Sequence, residues 1–281
     1  MTQFIAALSM YDWPEARDDV DAQWRDLRAR LGAAGIDAPA TLVRRNADMP
    51  AVPGGIRDDH GQAIAPDPAT LPPDELDFQT LWKHPGLLIT QTCWGPMEQG
   101  LDQYVVVIGQ PSYDGIEGGQ GELYSSPILM RRDVLGVGHE GQHSFAHQLP
   151  EVLSPATGRA MLPLELMRGA RFAYNGMDSM SGIIALTRDL EAANESLAIF
   201  SERIETGAHR ASIVAVAQGR ADVCAIDCRS WHLAKLHKPA AAELAIVGWT
   251  ARRKGLPFIT SRQTPPEMVE RLRNALRLPI T

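Results

Sequence analysis

The sequence predicts an α/β fold arranged as two lobes. Three observations predict it. Short apolar runs alternate with segments of helical periodicity along most of the chain. Some runs, such as Tyr104–Ile108 (YVVVI), are continuously apolar, as strands buried on both faces are. The length of 281 residues suits two domains or one large one, at about 100–200 residues per domain.

Phe4–Met10 is the first expected strand. Asp18–Leu31 follows as a helix, because Val20, Trp24, Leu27 and Leu31 recur at helical spacing and Gly32 and Gly35 end the pattern. Thr41–Arg44 is a short strand. Residues 46–73 are rich in Pro, Gly and Asp and read as a surface loop. Pro72–Trp82 opens on Pro-Pro-Asp-Glu, which suits a helix N-terminus. Leu87–Thr92 and Tyr104–Ile108 are strands, and Tyr124–Arg131 is an extended crossing. Pro163–Arg168 is a short helix. Arg171–Asn175, Val223–Cys228, Leu244–Trp249 and Pro257–Thr260 read as strands. Ser181–Ala193, His209–Gln218, Ser230–Leu236 and Pro265–Leu276 read as helices. No internal repeat is visible.

The densest strand–helix series lie on either side of Tyr124–Arg131. This gives a discontinuous lobe 1 of residues 1–124 and 229–281. Lobe 2 is 125–228, with an inserted loop at about 133–165. A ligand cleft is expected between lobes joined by extended hinge crossings. A single doubly wound sheet is the alternative.

Composition narrows the function. The hydrophobic fraction is 44% and the charged fraction 22%, which suits a globular chain and excludes disorder as its main state. With 27 basic and 34 acidic residues the net charge is -7, a poor footprint for nucleic acid. No stretch approaches the roughly 18 apolar residues of a membrane span. The start, MTQFIAALSM, carries no basic residue before its apolar run, so it does not read as an export signal. As written, the expected location is cytoplasmic; a chain trimmed of its leader would instead be periplasmic. Three cysteines, Cys93, Cys224 and Cys228, cannot form a disulfide framework. Cys224 and Cys228 read as buried small hydrophobes on one strand. No cofactor is expected.

The most informative segment is Asn175-Gly-Met-Asp-Ser-Met-Ser-Gly182, after a strand and opening a helix. Ser179 and Ser181 fall at its N-cap and first turn, beside unpaired backbone N–H groups at the positive dipole end. Hydroxyls and amides so placed can receive a tetrahedral oxyanion; simple capping is the alternative use. A second start, Thr206-Gly-Ala-His-Arg-Ala-Ser212, brings His209 and Ser212 to the same kind of position. Asp227 lies at a strand C-terminus, where open sheets bind ligands, and can equally cap the next helix. In the first half, Tyr11 and Asp12, then Gln91 and Thr92, end strands. Tyr124 with Ser125 and Ser126 begins the crossing.

In order, MYDWPE at 10–15, LLITQTCWGPM at 87–97, VVVIGQPSY at 105–113, GELYSS at 121–126, NGMDSMSG at 175–182 and GAHRASIVAVAQGRADVCAID at 207–227 form a pattern. It resembles the PhnD-like phosphate, phosphite and phosphonate substrate-binding proteins of ABC transporters. The resemblance implies a type 2 periplasmic-binding-protein fold closing by hinge motion on a phosphorus oxyanion, with a transporter permease as partner. It implies that Ser179, Ser181 and His209 hold the oxyanion. Asp227 then meets the ligand's other end, and Tyr124 lies on the hinge side. Met180 stands where phosphonate binders often carry a hydroxyl residue, and Gly182 completes the motif.

The expected function is therefore solute binding without catalysis. No nucleophile elbow, Walker loop or dinucleotide fingerprint is present. One motif points elsewhere. His139-Glu140-Gly-Gln-His143 has zinc-protease spacing, and His147 follows four residues later. It makes a metal-dependent hydrolase the competing expectation, although Gly136, Gly138 and Gly141 each cost a helix there about 1 kcal/mol. A cytosolic sensor or a biosynthetic enzyme reusing the binding fold is a further alternative.

Overall fold

A computed structural model describes residues 3–135 and 152–277. The chain divides into two compact units. The first is Met1–Pro111 with Leu256–Thr281, and the second is Ser112–Gly255.

The first unit is built on a mixed four-stranded sheet. Its order is Ile5–Ala6, Leu87–Gln91, Phe258–Ser261, Val105–Gly109. Ile5–Ala6 and Leu87–Gln91 are parallel, and Phe258–Ser261 runs antiparallel to both its neighbours. Alternate side chains serve two cores, one on each face. Ala6, Leu8, Ile108 and Phe258 pack with helices Arg17–Ala33 and Pro266–Leu276. Ile5, Ala7, Leu87, Val105 and Ile259 pack with Leu81, Trp82 and Met97. Helix Arg17–Ala33 buries Val20, Trp24, Leu27 and Leu31, the stripe that its spacing predicts. Each such side chain contributes roughly 1.5–3 kcal/mol by leaving water.

The second unit holds a five-stranded sheet. Its order is Glu202–Glu205, Arg171–Tyr174, Val223–Ala225, Pro127–Arg131, Leu244–Trp249. The first three strands are mutually parallel. Pro127–Arg131 is antiparallel to both its neighbours. Phe172, Leu186, Leu190 and Val223 centre the core, and Phe172 stacks on Phe200 at 4.7 Å. The two sheets share one plan. In each, a single antiparallel strand, the first of its own sheet to follow a change of unit, lies second from one edge.

Several expected elements differ. Phe4–Met10 keeps only Ile5–Ala6 as strand. Thr41–Arg44 forms no strand, though the Val43 N–H donates to the Ala6 carbonyl at 2.8 Å. The expected helix Pro72–Trp82 starts later, as Phe78–Lys83, because the Asp77 carboxylate accepts from the Thr80 N–H at 2.7 Å and caps it there. Tyr124–Arg131 is two strands, since Leu123–Tyr124 pairs with Arg253–Lys254 in a separate small sheet. Cys228 opens a helix, Cys228–His237, and does not share a strand with Cys224. Residues 229–255, expected in lobe 1, belong to the second unit, because Leu244–Trp249 pairs with Pro127–Arg131. The Tyr104–Ile108 run is an edge strand that still reaches the cores on both faces, with Ile108 and Val105 buried in one each and Val106 and Val107 half-buried.

A buried ion pair ties the second unit's last segment to its core. The Arg253 guanidinium meets both oxygens of Asp189, at 2.6 and 3.1 Å, and the Ala251 N–H donates to the same carboxylate at 2.8 Å. Asp189 is 5% exposed. Removing it leaves a half-buried guanidinium and an amide without their acceptor. Asp189→Ala is expected to lower unfolding stability by about 2–3 kcal/mol, read as a lower denaturant midpoint.

Candidate functional site

The site follows from how the second unit's parallel strands end. Arg171–Tyr174, Glu202–Glu205 and Val223–Ala225 run the same way, so their C-termini share one edge of the sheet. Each then turns into a helix. The three helix starts are Met180, after the Asn175–Ser179 turn, His209, after Thr206–Ala208, and Cys228, after Asp227. Their unpaired N–H groups and positive dipole ends gather at that edge.

Ser179 is the first N-cap, with its hydroxyl accepting from the Gly182 N–H at 3.1 Å. The helix opens with one π turn, Met180–Ile184, in which the Ile184 N–H reaches back to the Ser179 carbonyl at 3.1 Å. Such turns are frequent at functional sites. Gly182 makes room for its neighbours' side chains. A Cβ there would lie 2.0 Å from Asn175 Oδ1 and 3.1 Å from Ser179 Oγ. The Asn175 carboxamide thus fills the place a side chain at 182 would take. Its Oδ1 is buried and has no hydrogen-bond partner among the described residues.

Ser181 and His209 meet across two helix starts. Ser181 Oγ lies 2.8 Å from His209 Nε2. Asp227 Oδ2 is 3.5 Å from the same nitrogen, and Asp227 Oδ1 accepts from the Ser230 N–H at 2.9 Å. One carboxylate therefore caps its own helix, the simpler of the two readings of Asp227, and also faces the imidazole. A hydrolase triad places its carboxylate on the other ring nitrogen. Here His209 Nδ1 is buried with no hydrogen-bond partner among the described residues. Burial lowers the His209 pKa from its ordinary 6.5, and Asp227 opposes that shift. The ring is neutral at pH 7.

The antiparallel neighbour adds to this edge. The Ile226 N–H donates to the Pro127 carbonyl at 3.2 Å, which brings Ser126 beside Asp227. The Thr250 hydroxyl accepts from the Ser126 N–H at 2.8 Å. The hydroxyls of Ser125 and Ser126 are buried and lack hydrogen-bond partners among the described residues. An edge with this many polar atoms awaiting partners suits a ligand rich in oxygens.

The remaining expected residues lie as follows. Met180 is buried, and its sulfur is 3.9 Å from Arg188 Nη1, so it supplies no donor. Ser212 is fully buried, and its hydroxyl is 2.7 Å from the Thr206 hydroxyl. That bond fixes the Thr206–Ser212 turn. Tyr124 is buried and stacks on Tyr113 at 5.2 Å, and the Arg229 guanidinium lies 5.6 Å from the Tyr113 ring. Tyr11, Asp12, Gln91 and Thr92 belong to the first unit, where Gln91 ends one of two adjacent parallel strands and the others follow them. Asp12 is engaged by Arg44 at 2.6 Å, and the Gln91 carbonyl accepts from the Trp82 indole at 3.0 Å. The Thr92 N–H donates to the Pro257 carbonyl at 3.2 Å. His139, Glu140, His143 and His147 lie outside the described residues. Asn175 and Tyr113 were not singled out by sequence. Asn175's position directly after a parallel strand is the signal that could have found it. Burial pushes the Cys224 and Cys228 thiols up, so both stay protonated and inert.

The fold is that of the type 2 periplasmic binding proteins, and three helix starts of the second unit gather at one sheet edge. Residues 153–277 match the family model described as ABC transporter, phosphonate, periplasmic substrate-binding protein. Over that stretch the sequence is similar to that family, and the fold is similar to that of solved phosphonate-transporter binding proteins. PhnD1 from Prochlorococcus marinus, solved with methylphosphonate, has a TM-score of 0.61 and 14% identity over 98% of this chain and 84% of its own. A binding-protein component of a phosphonate ABC transporter from Pseudomonas aeruginosa has a TM-score of 0.57 and 14% identity, over 98% of this chain and 74% of its own. A Xanthomonas citri protein bound to chloride has a TM-score of 0.55 and 15% identity, over 98% and 83%. No curated protein matches. The matched family is a transporter component and not an enzyme family, and it lends nothing to a hydrolase reading. Among the described residues no helix is long and apolar enough to cross a membrane.

Two outcomes follow from this geometry. Gly182→Ala is expected to fold and to displace the Asn175 carboxamide, read in a crystal structure of the variant. The second concerns pH. Because the folded pKa of His209 is depressed, the unfolded chain takes up its proton first as pH falls. The stability this contributes is complete above the ordinary value of 6.5 and is lost as pH drops from there through the folded pKa. His84, also depressed by burial, adds a loss of the same sign. His209→Gln is expected to remove part of the stability loss between about pH 7.5 and about pH 5.5 in urea titrations.

Proposed function

We propose that the chain binds a small phosphorus oxyanion, phosphate, phosphite or a phosphonate, at the helix starts of its second unit and delivers it to an ABC transporter permease. Ser179, Ser181 and His209 hold the anion, with the amides of Met180 and Ser181 beside them. The observation that carries this reading is the Ser181–His209 contact, which joins two helix starts at one sheet edge. Anions settle at helix N-termini through N–H groups and dipoles, so a net charge of -7 is no obstacle. Asp227 orients His209 and faces whatever group the phosphorus carries. The permease partner and a periplasmic place of work rest on the matched family.

Calorimetry with phosphate, phosphite, methylphosphonate and sulfate tests this. Ser181→Ala and His209→Ala are each expected to weaken the best ligand by about tenfold or more, since each removes a hydrogen bond to a charged group, worth about 1.5–3 kcal/mol. Unchanged affinity in both variants would sink the site.

A further inference from the structure

Of the chain's four asparagines, only Asn175 is followed by glycine. The Asn175–Gly176 pair lies in the turn between strand Arg171–Tyr174 and the helix start at Met180, and both residues are half-buried. No hydrogen bond among the described residues holds the Asn175 carboxamide, so leaving its place over Gly182 breaks none. The Gly176 N–H has no acceptor among those residues either. The space beside Gly176 is open. A Cβ added there would meet one atom within 4 Å, Asp178 Oδ1 at 3.2 Å. Asn46 shows the contrast. It is 1% exposed, its Nδ2 donates to the Pro72 carbonyl at 2.8 Å, and its Oδ1 accepts from the Asp77 N–H at 2.8 Å. Both ends of that carboxamide are held, and alanine follows it.

The structure assigns Asn175 as a site of spontaneous deamidation, which places a carboxylate at the first helix start. Asparagine is a thermolabile residue, and a following glycine has no side chain to keep its nitrogen away. The Gly176 nitrogen attacks Asn175 Cγ. A bond forms between them, the Cγ–Nδ2 bond breaks, and the proton from the Gly176 nitrogen leaves with Nδ2 as ammonia. Water then opens the succinimide ring at either carbonyl, giving aspartate or isoaspartate. No electrons are exchanged with any other group. Aspartate at 175 sets a negative charge over Gly182, at the positive end of the helix. The folded chain accommodates that charge, and an incoming anion is repelled by it. This consequence rests on the oxyanion reading above; the deamidation does not.

The full chain is aged in neutral and in mildly alkaline buffer, mapped by peptide mass, and assayed for isoaspartate by enzymatic methylation. Asn175 is expected to show the mass change of an amide-to-acid exchange at least tenfold faster than Asn46, Asn194 or Asn274. The rate should rise with pH, because the attacking nitrogen must shed its proton. Gly176→Ala should slow conversion severalfold. An Asn175 that stays intact, or converts no faster than the other three, overturns the assignment. Asn175→Asp makes the product directly and is expected to weaken methylphosphonate at least tenfold in calorimetry. If that variant folds poorly, the aged fraction carrying the extra negative charge, separated by anion exchange, gives the same readout. Unchanged affinity in the converted chain overturns the consequence. Failure of the unaged chain to bind any phosphorus oxyanion counts against the oxyanion reading instead, and the mass map still decides the deamidation.

Discussion

The site depends on strand direction. Three neighbouring strands run parallel, so three chain segments leave the sheet at one edge and each must begin a helix there. Backbone N–H groups at a helix start have no internal partner, and burying them unpaired is costly. Side-chain caps answer some of the need, as Ser179 and Asp227 do. The remainder leaves backbone donors gathered at that edge. Gly182 lets the Asn175 carboxamide lie directly over the first helix start. A larger residue would have to displace that group.

Asp227 has two tasks. One oxygen holds the start of helix Cys228–His237, and the other faces His209. The cap fixes the carboxylate in position, and the fixed carboxylate opposes the burial that lowers the imidazole's pKa. His209 in turn faces Ser181 on another helix. Three helix starts are thereby linked side chain to side chain, each 5% exposed or less apart from the partly exposed imidazole. Preorganisation of this kind reduces the ordering cost of binding.

Much of this was legible in sequence because caps are local. Ser179, His209 and Asp227 sit beside turns and ahead of helical periodicity, all readable within ten residues. Non-local pairing was less legible. Thr41–Arg44 has strand-like composition but joins its neighbour through a single backbone bond from Val43. Residues 229–255 lie between two apparent lobes in sequence, and only the pairing of Leu244–Trp249 with Pro127–Arg131 assigns them. The shared sheet plan of the two units left no trace as a sequence repeat. It is a property of strand order, which no residue pattern encodes directly.

That strand order bears on how the chain is made. Phe258–Ser261 lies between Leu87–Gln91 and Val105–Gly109 in the first unit's sheet. During synthesis the whole of Ser112–Gly255 emerges before that strand does. The second unit can finish its sheet from contiguous chain while it is still tethered to the ribosome. The first unit must wait with its sheet split in two, its apolar halves held apart until Leu256–Thr281 arrives, at ribosomal rates of about 5–20 residues per second. The unit that opens the chain is thus the last to close.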